Sequence, residues 1–332
     1  MNMKRVALAA SLLGFLSGTL VACTNTAQIS SNAIEGKRGD RDARDAKLRS
    51  LGVSLGDLGN PFFVAMSKGA QTQAKKIGGD DVKVSVVSSG FDLNQQFNQL
   101  ENFVAADSDL IILSAVDNRG IKPAIDKARL AGKTVIAVDA AVEAEVDATI
   151  SSNNLQAGEV ACQYIADRLK GKGNVVILNS IPMDSVIQRV NGCQNALSKY
   201  PDIKILSKDQ NAEGSRDGGL RVMSDLLTTF PKIDAVFATN DQSGVGADLA
   251  ARQARRKEFF IVGVDGGPDA VKAMASKDSL FVATAAQDPV GMAAKAVDVG
   301  NDIIQGKKPE SPNILIPVKL VTQDNVSSYQ GW

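Results

Sequence analysis

Histidine is missing from all 332 residues of the chain. Its absence removes the Ser-His-Asp triad, the Cys-His dyad and every histidine-ligated metal site. Net charge is missing too. The 37 Lys and Arg balance the 37 Asp and Glu, so nothing in the overall field favours nucleic acid. No Walker A pattern is present. The G-x-G of Gly244-Val245-Gly246 has no third glycine where a dinucleotide fold needs one. Asp57, in the turn after the first apolar run, would repel a pyrophosphate. Gly52-Val53-Ser54-Leu55-Gly56 spells the nucleophile-elbow pattern, but its serine lies inside a strand-like run and has no histidine base. Ser54 reads as a strand residue. No metal, no cofactor and no catalytic residue is expected.

The N-terminus carries an address. Lys4 and Arg5 precede a small, apolar stretch over 6–21, short for a membrane span and shaped like a secretory signal. It ends in Leu20-Val21-Ala22-Cys23, which resembles a bacterial lipobox; residues 1–23 would be a lipoprotein signal and Cys23 the lipidated new N-terminus. The alternative is an ordinary signal with a chance cysteine. Residues 24–46 are charged and small and cannot bury enough surface to fold, so they read as a flexible tether. The tripeptide Arg38-Gly39-Asp40 within it reads as chance.

The whole chain is 44% hydrophobic, and the part after residue 46 is long enough for about two domains. Ten β-rich runs, at 51–56, 82–88, 109–114, 134–138, 147–151, 174–179, 203–206, 234–238, 259–264 and 280–285, alternate with segments of helical spacing. That alternation predicts βαβ units and parallel sheets. Ten strands exceed one ordinary domain, and a break near 150 divides them. The run exits read LSAVD, IAVDAA, ILNS, FATND, VGVDGG and ATAAQD, with polar residues recurring just past the strand ends. One such Asp is ordinarily a cap or turn residue. Six in register point to the edge where open parallel sheets bind ligands. In NPFF, Phe62 and Phe63 are adjacent at a helix start, and neighbours on a helix point about 100° apart. One core cannot readily absorb both.

NPFFVAMSKGA, the R-x-x-G of Arg189 and Gly192, VFATND, VGVDGGPDA and ATAAQDP, in this order, resemble the type I periplasmic sugar-binding proteins, the ribose- and galactose-binding relatives of bacterial ABC transporters. The resemblance covers 51 to about 325. It implies two doubly wound, Rossmann-like α/β domains joined by a three-segment hinge, with ligand between them and closure by hinge motion. By it, one lobe holds 47–151 plus 288–316 and the other 152–287 plus 317–332. It implies that Asn60 hydrogen-bonds a hydroxyl and that Phe62 or Phe63 lies against the apolar face of a sugar. Asp139 would accept from two hydroxyls, Arg189 would reach in from the second lobe, and Asn240, Asp265 and Gln287 would line that lobe.

Departures from the family pattern bear on the ligand. Ala140 stands where the ribose-binding pattern has arginine, Gly214 where an aromatic stacks the other sugar face, and Val264 where an aromatic is common. A wider, less aromatic and net acidic pocket is expected, with Asp57 either facing an ammonium or capping the helix that starts near Pro61. The expected function is that of a solute receptor of an ABC importer, closing on a small sugar, polyol or amino sugar; the alternative is a sensory receptor presenting the same solute to a chemoreceptor or membrane kinase. An exported, lipid-anchored monomer at the periplasm or cell surface, meeting transporter membrane subunits and no nucleic acid, is the implied setting. A transcription regulator on the same core would need a helix-turn-helix where this chain has its signal. An enzyme lacks histidine and a phosphate loop. Cys162 and Cys193 lie on helices flanking consecutive strands, and export favours a disulfide between them. The alternative is two buried, small apolar residues.

Overall fold

A computed structural model describes residues 47–332. The expected signal over 1–23, the tether over 24–46 and the lipidation site Cys23 lie outside the described residues.

Two six-stranded sheets form the frame. The first contains β1 (Ser50–Leu55), β2 (Lys83–Ser88), β3 (Leu110–Leu113), β4 (Thr134–Val138), β5 (Ala148–Ser152) and β11 (Asn313–Ile316). Its order is β11-β5-β4-β3-β1-β2, and every neighbouring pair is parallel. The second contains β6 (Lys172–Leu178), β7 (Asp202–Ser207), β8 (Ala235–Ala238), β9 (Phe260–Asp265), β10 (Phe281–Ala286) and β12 (Lys319–Thr322). Its order is β12-β10-β9-β8-β6-β7, parallel except for β12 against β10. Both orders reverse direction once, between β1 and β3 and between β6 and β8, which opens a crevice past the strand ends at each switch point.

The central strands LIIL of β3 and TVIAV of β4 are buried throughout, as expected where helices cover both faces of a parallel sheet. Helix α1 (Pro61–Gly78) packs with α9 (Pro289–Ile304) over the first sheet, through Met66, Ala70 and Ala74 against Met292, Ala293 and Ala296. Gly69 allows their close approach, since a Cβ there would lie 2.3 Å from the Val290 carbonyl oxygen. Helices α2 (Leu93–Ala105) and α3 (Lys122–Leu130) cover the other face through Leu100, Phe103 and Ile125.

In the second sheet's layers the closest pair is α4 (Asn154–Arg168) with α5 (Asp184–Leu197). A Cβ on Gly158 would fall 1.9 Å from the Arg189 carbonyl oxygen, and one on Gly192 2.0 Å from that of Leu155. Cys162 and Cys193 form a disulfide across the same contact, with Cα atoms 4.9 Å apart. Backbones this close fix the rotation of α5 and therefore the direction of Arg189. Helices α6 (Arg216–Thr229), α7 (Asp241–Gln253) and α8 (Pro268–Ala275) complete the layers, with Val222, Met223, Ala247 and Ala270 in a shared core.

The chain passes between the sheets between β5 and α4, between β10 and α9, and between β11 and β12. Strands β11 and β12 were not among the ten expected runs. Each has four residues, and Pro317 separates them, so neither shows a strand-length apolar pattern. Helix α3 begins only at Lys122, because the Asp117 carboxylate accepts the Arg119 and Gly120 N–H groups and holds a turn before it.

Candidate functional site

A cavity of about 50 Å³ lies between the sheets at their strand ends. One wall begins where β1 ends. Asn60 is the N-cap of α1, and its Oδ1 accepts the Phe62 N–H at 3.0 Å, which directs its NH2 group elsewhere. Pro61 supplies the first helical residue without an unused N–H. Phe62 and Phe63 both line the cavity, each only 5% exposed, with ring centroids 5.4 Å apart and planes at 84°. They belong to a row of four rings: Trp332 packs edge-on against Phe62 at 6.0 Å, and Phe91 against Phe63 at 5.9 Å. Neither ring of the pair is therefore spare. Each serves the cavity and the packing behind it.

Asp139 follows β4 with φ +67° and is 4% exposed. Its Oδ2 accepts from the Ser114 hydroxyl at 3.4 Å, while Oδ1 has no hydrogen-bond partner among the described residues. Burial pushes this carboxyl up to about 6, against the attraction of Arg189.

The opposite wall is built around Arg189. Its Nε donates to Asn154 Oδ1 at 2.9 Å, and Nη1 donates to the Thr239 carbonyl at 2.9 Å and to Asp265 Oδ1 at 3.4 Å. Asp265 ends β9 at φ +134° and also accepts from Gln287 Nε2 at 2.7 Å and from the Asp241 N–H at 3.3 Å. Burial pushes Asp265 up to about 6 as well, again opposed first by Arg189. Asn240 caps α7, accepting the Ser243 N–H and donating to the Gly214 carbonyl at 2.8 Å.

Seven of the nine expected ligand residues, Asn60, Phe62, Phe63, Asp139, Arg189, Asn240 and Asp265, line this one cavity. Gln287 stands behind the wall and holds Asp265 in place; its Oε1 has no partner among the described residues. Asp57 is not in the wall. Its Oδ1 accepts the Gly59 N–H at 2.8 Å, and the helix cap is Asn60 instead. Gly214 lines the cavity, whereas Val264 is buried in the core behind it and offers no surface.

The expected wide, weakly aromatic pocket is not what these walls make. Phe91, Ile181, Met183 and Val186 also line the cavity, and with Ala140 they form one small apolar cluster joining the two walls. Phe91 follows β2 and Ile181 follows β6, so both obey the strand-exit rule. A search of the exits for polar residues alone passes over them. Of the three carboxylates expected to face Arg189, Asp139 and Asp265 are in the wall and buried, and Asp57 is not. Such a cavity offers acceptors on both walls, a single fixed cation and flat apolar rings between them. That suits a compact, polyhydroxylated molecule.

A periplasmic binding protein domain model matches residues 51–308. The ribose import binding protein of Bacillus subtilis (strain 168) is 34% identical over 276 residues, covering 82% of this chain and 87% of the relative. The solved structure of an ABC transporter periplasmic solute binding protein from Actinobacillus succinogenes 130z, with bound D-allose, has a TM-score of 0.76 at 27% identity, covering 85% of this chain and 100% of that one. The fructose-binding periplasmic domain of a hybrid two-component system has a TM-score of 0.77 at 29% identity, covering 84% and 92%.

Proposed function

The chain belongs to the periplasmic binding protein family, whose members bind substrates and are not enzymes, and from that membership we propose that it is the solute receptor of an ABC importer, closing its lobes on a small sugar, polyol or amino sugar. The observation that carries this reading is the Asp139 Oδ1, without a hydrogen-bond partner among the described residues, on a cavity whose other wall presents Arg189 and Asp265. Sugar hydroxyls would donate to Asp139 and Asp265 and accept from Arg189 and the Asn60 amide. The C–H face of the ring would rest on Phe62 and Phe63. Buried acceptors left without donors reject analogues that lack a hydroxyl. A ligand touching both walls favours the closed arrangement by its difference in affinity for the two states.

The same solute presented to a membrane kinase or chemoreceptor is the second reading, favoured by the resemblance to the periplasmic domain of a two-component system. In either case Cys23 is the lipidated anchor and the receptor acts as an exported monomer. Mass spectrometry of the mature N-terminus should show a lipidated Cys23; an unmodified mature chain beginning elsewhere rejects the anchor. The binding test is a thermal-shift screen over D-ribose, D-allose, D-fructose, myo-inositol and D-glucosamine. A ligand at 100 times its dissociation constant adds about 2.7 kcal/mol to stability. If no sugar, polyol or amino sugar raises the melting temperature, the reading fails.

A further inference from the structure

Asp265 holds a backbone conformation that an L-residue keeps only when its surroundings over-determine it, with φ +134°, and Gly266 follows at φ +77°. The turn at 265–267 is gripped from several directions. The Gly266 N–H donates to Thr284 Oγ1 at 3.1 Å, and the Gly267 N–H donates to Asp241 Oδ2 at 2.8 Å. The carbonyls are held from the far end of the chain. Tyr329 Oη donates to the Gly266 carbonyl at 3.1 Å, and Trp332 Nε1 donates to the Asp265 carbonyl at 3.0 Å. Neither aromatic lines the cavity. Gln330 and Gly331 between them are exposed, so the two side chains are the anchors of this stretch.

Trp332 also reaches the other lobe. Its ring stands edge-on to Phe62 and packs against the core that contains β1 and α1. One side chain thus touches the backbone of a ligand residue on one wall and the ring of a ligand residue on the other.

We infer that Tyr329 and Trp332 are positioning residues for the ligand site: they clamp the strained turn that carries Asp265, and Trp332 couples that turn to Phe62 across the cleft. The inference rests on the binding reading above. With the clamp removed, the turn relaxes toward ordinary φ values and the Asp265 carboxylate leaves the line of Arg189 and Gln287. The cleft then closes on a mispointed acceptor.

The test uses the full chain with Tyr329→Phe, which keeps the ring and deletes only the O–H donor, and with Trp332→Phe, which keeps one aromatic ring but removes the indole N–H donor together with part of the surface packed on Phe62. Hydrogen exchange measured by NMR without sugar should speed up about tenfold at the Gly266 and Gly267 amides, the scale of one lost hydrogen bond, and stay unchanged in β6. Calorimetry with whichever of D-ribose, D-allose or myo-inositol the wild type binds should then show about tenfold weaker affinity for Trp332→Phe. Unchanged exchange at both glycines overturns the clamp. Faster exchange with unaltered affinity overturns the positioning role, because a purely structural brace would behave in that way. If the wild type binds none of the three, exchange still decides the clamp and affinity is read with whichever sugar the thermal-shift screen identifies; the binding reading falls only if that screen identifies none.

Discussion

Asp139→Asn is the substitution with the most to say about this site. The carboxyl is raised from 3.8 to about 6 by burial, with Arg189 and then the Ser114 hydroxyl opposing and Asp184 adding the least. A group whose folded value lies above its unfolded one contributes stability below about pH 4 and loses it as pH rises through 6. A rise from 3.8 to about 6 corresponds to about 3 kcal/mol, an upper figure because any parting of the lobes hydrates the carboxylate. Asparagine keeps the shape and does not titrate. Without ligand, the variant should therefore match wild type near pH 4 and exceed it at pH 7, by about 1–3 kcal/mol. Asp265 is raised in the same way and remains in the variant, so a residual slope is expected. Ligand reverses the preference. Hydroxyls or an ammonium donate to the carboxylate form, so wild-type binding should release a proton and tighten from pH 5 to 7.5. In the variant this tightening should flatten. Thermal unfolding across pH 4–7.5, with calorimetry in two buffers of different ionisation heat, measures both effects. A variant no more stable than wild type at pH 7 and equally steep in its pH dependence of binding refutes the reasoning.

Amino and neutral versions of one sugar provide a second check. Asp139→Asn should weaken D-glucosamine more than D-glucose if an ammonium sits at Oδ1; equal losses exclude the amine. Replacing Cys162 and Cys193 together by serine should lower stability by about 3–4 kcal/mol in the chain-entropy model, read as a lower denaturant midpoint. An unchanged midpoint would remove the disulfide from the account of how α4 and α5 hold together. Gly158→Ala puts a methyl where the Arg189 carbonyl lies 1.9 Å away, so it should cost about 1–3 kcal/mol and weaken sugar binding through displaced Arg189. Wild-type stability in that variant would mean the helices have room to separate.

The alternation of apolar runs and helical segments made the two parallel sheets legible, because buried central strands such as β3 and β4 are continuous in hydrophobicity. Polar strand exits led to Asp139, Asn240 and Asp265 for the same reason: the period of the fold puts them at one edge. Asp57 shows the limit of that rule. An acid just past a strand can be spent on its own turn, and only the Gly59 contact distinguishes the cases. Phe91, Ile181 and Met183 were missed because an apolar residue in a loop carries no mark that it faces a ligand. Trp332 lies 67 residues from the carbonyl it holds, and no local pattern announces so distant a partner.

The three passages of the chain between the sheets bear on how the molecule comes into being. Chain that emerges from its N-terminus has β1 to β5 early, but α9 and β11 of the same lobe arrive only after all of the second lobe except β12 and the segment that follows it. Until then Met66, Ala70 and Ala74 of α1 lack the Met292, Ala293 and Ala296 that cover them, and β5 has an unpaired edge. The first lobe therefore cannot mature first. Its half-made core must stay uncommitted, or shielded by a holding partner, for roughly 140 residues of further emergence, and this interval is when aggregation competes most strongly with folding.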